Sequence, residues 1–271
     1  MLLIVVGIII AIPASILTYW GIGLFDKSPW YLFLILAFVV TYFVLYLNVY
    51  WFIALLSFYP YRNKDYVGKV NKWNLFHVRV TASFLVALQN FVIKKKGFNN
   101  RPKEASLIIF NHISDYDPWI LYKIMGGRYA FVGKYALRKI PMVRAMASSI
   151  GTLYVDNHNP EMNHKMVDDA VDYITNKETS VCIAPEGTRN TTGQLMPFKH
   201  GGFNIALRSK CPIVLIGFKN MNDAIKKKKR FLFKINVELF DVVQPNEYDG
   251  MSAGEVASLC EKRYKKYLGE E

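Results

Sequence analysis

Hydrophobic positions divide the chain into two textures. Up to Tyr61 apolar residues run on almost without a break, whereas beyond it short apolar runs alternate with polar, helix-patterned stretches. The first run, "MLLIVVGIIIAIPASILTYWGIGLF", has 25 residues and no charge, and a second uncharged run extends from Trp30 to about Tyr59. A bilayer core takes about 20 apolar residues as a helix, so each run is long enough to span it. A cleaved secretory leader is the rival reading of the first run. It lacks a basic segment, is long for a leader, and has a second apolar run close behind it. Residues 1–61 are therefore expected to be a hydrophobic membrane anchor of two helices. The tight "DKSP" link between the runs leaves open two full spans or two helices within one leaflet.

From 62 to 93 basic residues interrupt the apolar ones. "NKWNLFHVRVTASFLVALQNFVI", Asn71 to Ile93, reads as a helix that lies at a membrane interface or packs on the following domain. His77 within it reads as a packed or interfacial residue rather than a ligand. Residues 94–271 then alternate. Short β-rich runs occur at Leu107–Phe110, Tyr129–Gly133, Thr152–Val155, Ser180–Ala184, Pro212–Phe218 and Phe233–Val243. Helical patterns at Trp119–Met125, Glu161–Asn176 and Gly201–Ser209 separate several of them, which predicts an α/β domain. Ser252 and Glu255 have capping-box spacing and predict a C-terminal helix.

Charge sharpens the division. The formal net charge is +13, yet Asp26 and Lys27 are the only charged residues up to Tyr61, and they cancel. All of the excess sits on the later residues, which suits an anchored domain that meets anionic partners. Arg62, Lys64, Lys69, Lys72 and Arg79 follow the anchor directly and place the domain on the cytoplasmic side by the positive-inside bias. Cys182, Cys211 and Cys260 are an odd number without metal-ligand spacing, so they read as reduced, buried thiols.

Two stretches carry candidate chemistry. In "LIIFNHISDYDPW" His112 follows a buried strand, at the end where α/β folds gather their sites. Asp117 precedes Pro118, a residue favoured at the first helical position, so Asp117 reads as an N-cap. A carboxylate can accept more than one donor. The same Asp117 can therefore orient His112, and a histidine so held is a general base for a hydroxyl. Asp115 reads as a solvated loop residue. In "APEGTRNTTGQLMPFKHGGF" Glu186, Gly187 and Arg189 occupy a loop after a second strand. The planar fork of an arginine suits phosphate, and glycine opens backbone conformations closed to other residues. Glu186 either binds a substrate hydroxyl or pairs with Arg189.

Taken together, these stretches resemble the glycerolipid acyltransferase family. "NHISDYD" has the form N-H-x-S-x-x-D of its H-x4-D motif, and "PEGTR" and "PFKHGGF" resemble its third motif and the segment after it. "FVGKYALRKIP", "GTLYVDN" and "CPIVLIGF" are similar to its remaining elements, all in family order between Asn111 and Phe218. Within the family the likeness is to the 1-acyl-glycerol-3-phosphate acyltransferase type. The resemblance implies a mixed β-sheet flanked by helices, preceded by hydrophobic membrane helices. It also implies transfer of a fatty acyl group from acyl-CoA or acyl-carrier protein to a lysophospholipid hydroxyl at an anionic bilayer, with no metal and no cofactor. His112 would be the base and Asp117 its partner; Glu186, Gly187, Arg189 and Lys134 would bind the acceptor.

One position departs from the pattern. The second motif commonly ends in arginine and here ends in Asn157. Either Lys134, Arg138 or Arg189 compensates, or the acceptor differs from 1-acyl-glycerol 3-phosphate; another lysophospholipid and glycerol 3-phosphate are the alternatives. His158, His164 and His200 read as surface residues. "KKKKR" at 226–230 reads as a contact for lipid headgroups or a carrier protein, or as a solvated face. Nucleic acid is not an expected partner, because no aromatic–basic recognition pattern accompanies the charge. Two rival classes stay in view: a lipid-ester hydrolase using the same pair on water, and an anchored binder of anionic lipid without turnover.

Overall fold

The computed structural model describes residues 30–61, 71–156, 158–190, 194–221 and 233–270. The first apolar run, Asn157 and the 226–230 cluster lie outside them. The chain separates into two compact units, Met1–Tyr59 and Pro60–Glu271. In the first, helix α1 (Trp30–Phe58) carries no charged residue. At about 1.5 Å per residue it is longer than the ~30 Å hydrocarbon core of a bilayer. Two of its polar side chains bond back to the helix itself: Asn48 donates to the Val44 carbonyl at 2.7 Å and Ser57 to that of Ile53 at 3.1 Å. Among the described residues it is the one helix long and apolar enough to cross a membrane.

The second unit is a seven-stranded mixed sheet with helices on both faces. Its elements in order are α2 (Lys72–Leu88), β1 (Phe91–Lys96), β2 (Leu107–Phe110), α3 (Asp117–Ile124), β3 (Tyr129–Lys134), α4 (Pro141–Ser149) and β4 (Leu153–Val155). There follow α5 (Pro160–Asn176), β5 (Ser180–Ile183), α6 (Asn204–Ser209), β6 (Ile213–Lys219), β7 (Phe233–Val243) and α7 (Ala253–Leu268). The strand order is β1-β7-β6-β2-β5-β3-β4. β6, β2, β5, β3 and β4 run parallel; β7 is antiparallel to β6 and carries β1 parallel to itself. Strand β2 is buried on both faces, as its uninterrupted "LIIF" requires of a central parallel strand. One face of the sheet, through Leu107, Ile109, Val181 and Leu215, packs on Tyr173 of α5, Ile205 of α6 and Val256, Cys260 and Tyr264 of α7. On the other face Tyr122 of α3 lies against Tyr129 and Phe131 of β3.

Two of the expected boundaries move. The helix expected to run from Asn71 to Ile93 stops at Leu88, Asn90 turns left-handed at φ 56°, and Phe91–Lys96 becomes an edge strand. The division expected at 93/94 therefore falls inside a strand, and α2 belongs to the same compact unit as the sheet. The pairing of β1 with β7 explains the change, because it joins residues about 140 positions apart and leaves no local signal. Helix α4 was not anticipated either. Pro141 opens it, as proline does at a first helical position, but its short mixed sequence carries a weak pattern. The expected C-terminal helix forms with its capping box, Ser252 accepting from the Glu255 N–H and Glu255 from the Ser252 N–H.

Helix α2 has two apolar faces. Leu75, Val78, Ala82 and Val86 are buried on one side, whereas Trp73, Phe76, Phe84 and Leu88 lie exposed on the other. At about 100° per residue these sets fall opposite one another. His77 falls on the same side as Trp73 and Phe84 yet is buried, edge-on to Trp73 at 4.7 Å, and its burial lowers its pKa.

Candidate active site

The loops that leave the carboxyl ends of β2 and β5 meet because these strands are parallel neighbours, with Leu107 opposite Val181 and Ile109 opposite Ile183. His112 emerges two residues past β2, and Glu186 three past β5. Asn111 makes the exit from the sheet possible. Its amide donates to the Phe218 carbonyl at 3.2 Å and accepts from the Phe218 N–H at 2.8 Å. The side chain thus stands in for one more ladder residue, and the backbone is free to turn while the partner strand stays satisfied.

The structure brings His112 and Asp117 together. The imidazole Nδ1 lies 2.9 Å from Asp117 Oδ2. That oxygen also accepts from the N–H groups of Ile113 at 2.7 Å and Ser114 at 2.8 Å, while Oδ1 accepts from the Ser114 hydroxyl at 3.0 Å. Asp117 is fully buried. A carboxylate surrounded by four donors accepts only, so Nδ1 carries its proton and Nε2 presents a lone pair. No described protein group bonds to Nε2. The cap differs from expectation: the helix begins at Asp117 itself, with Tyr116 before it, and both oxygens point back to the loop rather than forward into the helix. Loop donors reach the carboxylate before helical ones because the turn from Asn111 to Asp117 folds around it.

The second loop clamps the histidine's backbone. His112 N–H donates to Glu186 Oε1 at 3.0 Å, and the His112 carbonyl accepts from the Asn190 N–H at 2.6 Å. Glu186 Oε2 accepts from the Asn190 amide at 3.1 Å and from the Met196 N–H at 3.3 Å. Glu186 is buried, which raises its pKa, while the His112 and Met196 N–H groups and the Asn190 amide pull it back down. Each of its oxygens is engaged by protein donors, and its carboxylate does not pair with Arg189. The partner of Arg189 is Asp115, expected to be a solvated bystander, at 2.5 Å. Seventy-four residues separate the two, so only the juxtaposed loops reveal the pair.

Gly187 adopts φ +69°, a conformation that side chains rarely take, so the loop needs glycine there; a Cβ would meet only the movable end of the Lys199 side chain. Lys134 ends β3, exposed, at the same carboxyl edge of the sheet. Sequence reasoning did not single out Asn190, Asn111 or Ser114. The last two stand inside the quoted motif, and Asn190 directly follows "PEGTR". His158, His164 and His200 are exposed and away from these contacts, and the three cysteines are buried and free.

Glutamine at 186 would have one acceptor and one donor end. Whichever way it turned, its NH2 would face a fixed N–H, that of His112 or of Met196. Glu186→Gln is therefore expected to cost about 1–3 kcal/mol of stability, the penalty of a buried donor without a partner. Denaturant unfolding checks this, and an unchanged midpoint would show that the carboxylate does not carry these bonds.

Comparison with known proteins points in one direction. A family model described as Acyltransferase matches residues 92–219, which contain every residue of this site. The chain is 24% identical over 214 residues to the 1-acyl-sn-glycerol-3-phosphate acyltransferase of Haemophilus influenzae, covering 79% of this chain and 86% of that one. It is 28% identical over 156 residues to a Caenorhabditis elegans protein provisionally given the same name, covering 58% of this chain but only 55% of the relative. Its fold matches the crystal structure of the 1-acyl-sn-glycerophosphate (LPA) acyltransferase from Thermotoga maritima, with a TM-score of 0.58 and 22% identity. That match covers 72% of this chain and 79% of the other, and at this identity it speaks for the fold.

Proposed function

The chain belongs to the acyltransferase family whose domain occupies residues 92–219, and from that premise we propose that it acylates the free hydroxyl of 1-acyl-glycerol 3-phosphate, giving phosphatidic acid for phospholipid synthesis. The donor is a fatty acyl thioester of coenzyme A or acyl-carrier protein. One observation carries the reading: the protein holds His112 by its backbone N–H, its carbonyl and Nδ1, and leaves Nε2 to the substrate. The names of the relatives support the choice of acceptor.

The chemistry follows from those contacts. Nε2 takes the proton of the acceptor hydroxyl as its oxygen attacks the thioester carbonyl carbon. The imidazolium so formed is stabilised by the Asp117 carboxylate at Nδ1. Collapse of the tetrahedral intermediate breaks the carbon–sulfur bond, and the departing thiolate takes the proton back from Nε2. The thioester is already activated, so positioning and one base suffice, and the reading calls on no metal and no cofactor. Arg189 and Lys134 hold the acceptor phosphate, and Gly187 lets the loop approach it. Glu186 contributes by fixing the His112 backbone.

The same proposal places the protein in a membrane, with the catalytic unit on the cytoplasmic face. Helix α1 supports this by its length, its lack of charge and the bonds that Asn48 and Ser57 return to its own carbonyls. The exposed Trp73, Phe76, Phe84 and Leu88 of α2, followed by Lys94–Lys95–Lys96, suit an interface with anionic lipid. Membranes carrying the full chain are expected to keep it through an alkaline carbonate wash. They should release thiol from acyl thioester only when 1-acyl-glycerol 3-phosphate is supplied. Protein in the wash would remove the anchor, and free fatty acid formed without acceptor would replace the transferase with a hydrolase.

A further inference from the structure

The pair made by Asp115 and Arg189 has no part in holding the two loops together. Both side chains are exposed, Arg189 at 54% and Asp115 at 73%, and they touch through a single contact of 2.5 Å from Nη1 to Oδ2. The loops are already fastened by buried bonds, Glu186 to the His112 N–H and the Asn190 N–H to the His112 carbonyl. An ion pair this open to water contributes only about 0–1 kcal/mol. Its position is more telling than its strength. Arg189 adjoins Asn190, which grips the His112 carbonyl, and Asp115 lies on the turn between His112 and Asp117. The pair therefore lies, open to solvent, between the two loops that hold His112.

We propose that Asp115 sets the acceptor selectivity of this site by competing with the substrate's phosphate for Arg189. This rests on the reading of Arg189 as a phosphate ligand. The pair engages Nη1 of a guanidinium whose side chain is about half exposed. An incoming phosphate thus meets a usable donor edge with a carboxylate beside it. A phosphomonoester, carrying close to two negative charges, meets more repulsion from that carboxylate than a phosphodiester carrying one. Asp115 narrows the advantage that Arg189 alone would give the more highly charged headgroup. Because the pair is weak and exposed, the phosphate displaces it without disturbing the bonds that hold His112.

The test compares two acceptors, 1-acyl-glycerol 3-phosphate and a 1-acyl-glycerol phosphodiester, in mixed micelles with the full-length protein. Asp115→Asn removes the charge and keeps the shape. It is expected to lower KM for the monoester about two- to five-fold, the range of an exposed ion pair, and to change KM for the diester less. Asp115→Ala should act in the same direction, and Asp115→Glu should restore the original selectivity. Arg189→Ala should raise KM for both acceptors, and Asp115→Asn should then have no further effect. If Arg189→Ala raises KM but neither neutral variant lowers it for the monoester, the competition is overturned and the phosphate reading of Arg189 survives. If Arg189→Ala leaves both KM values unchanged, that reading fails and takes the competition with it.

Discussion

Replacing His112 with alanine is expected to cut acyl transfer by about 10²–10⁴-fold, the contribution of a positioned general base. The variant is clean because Glu186 and Asn190 hold His112 by its backbone, not by its ring. Alanine keeps that N–H and that carbonyl, so both loops stay fastened and the acceptor still meets Arg189. The loss should therefore appear in kcat, with KM for the acceptor little changed. Steady-state kinetics with saturating thioester make the distinction. A variant with full kcat would sink the mechanism, and one with an unfolded spectrum would show that the ring also supports the fold.

The second large effect concerns Asp117, where the choice of substitution decides what is learned. Asparagine can put its carbonyl where Oδ2 now accepts from His112, Ile113 and Ser114. Its NH2 then faces the Ser114 hydroxyl oxygen, which already accepts from the Tyr116 N–H at 3.1 Å and has a second lone pair to offer once its own proton turns away. Geometry survives, but the negative charge that stabilises the imidazolium is gone. A fall in kcat of about 10²–10⁴-fold with a nearly unchanged unfolding midpoint is the expected result, comparable to neutralising the aspartate of a serine-protease triad. Alanine at 117 would instead strand buried N–H groups at Ile113 and Ser114 and destabilise the loop by several times ~1–3 kcal/mol. If asparagine and alanine behaved alike in both measurements, the charge of Asp117 would have no role separate from its bonds to the loop.

What the sequence discloses here is what is local. His112 and Asp117 lie five residues apart around one turn, and the buried run before them and the proline after them mark that turn from both sides. The central strands are equally legible, because "LIIF" and "IVLIGF" have no other use for such density of apolar residues. Glu186 illustrates the opposite case. Nothing near it says whether its carboxylate faces solvent or the His112 backbone; that depends on the register of β2 against β5. The Asp115–Arg189 pair depends on the same register. Strand β1 was hidden differently, since Phe91–Ile93 reads as the end of the preceding helix and the three lysines after it carry no strand pattern until β7 supplies the partner.

Those lysines have a consequence for how copies of the protein treat one another. Among the described residues β1 is an outer strand of the sheet, and its outer edge has no strand partner there to take up its N–H and carbonyl groups. Lys94, Lys95 and Lys96 are all exposed along it, with Lys96 reaching back to Glu238 at 2.7 Å. A second copy aligning there would bring like charges into register at the spacing of adjacent strands, about 4.8 Å. The opposite edge, β4, offers three residues, too few to nucleate a stable pairing. Among the described residues the margins of the sheet are thus guarded against growing, by charge at one and by brevity at the other.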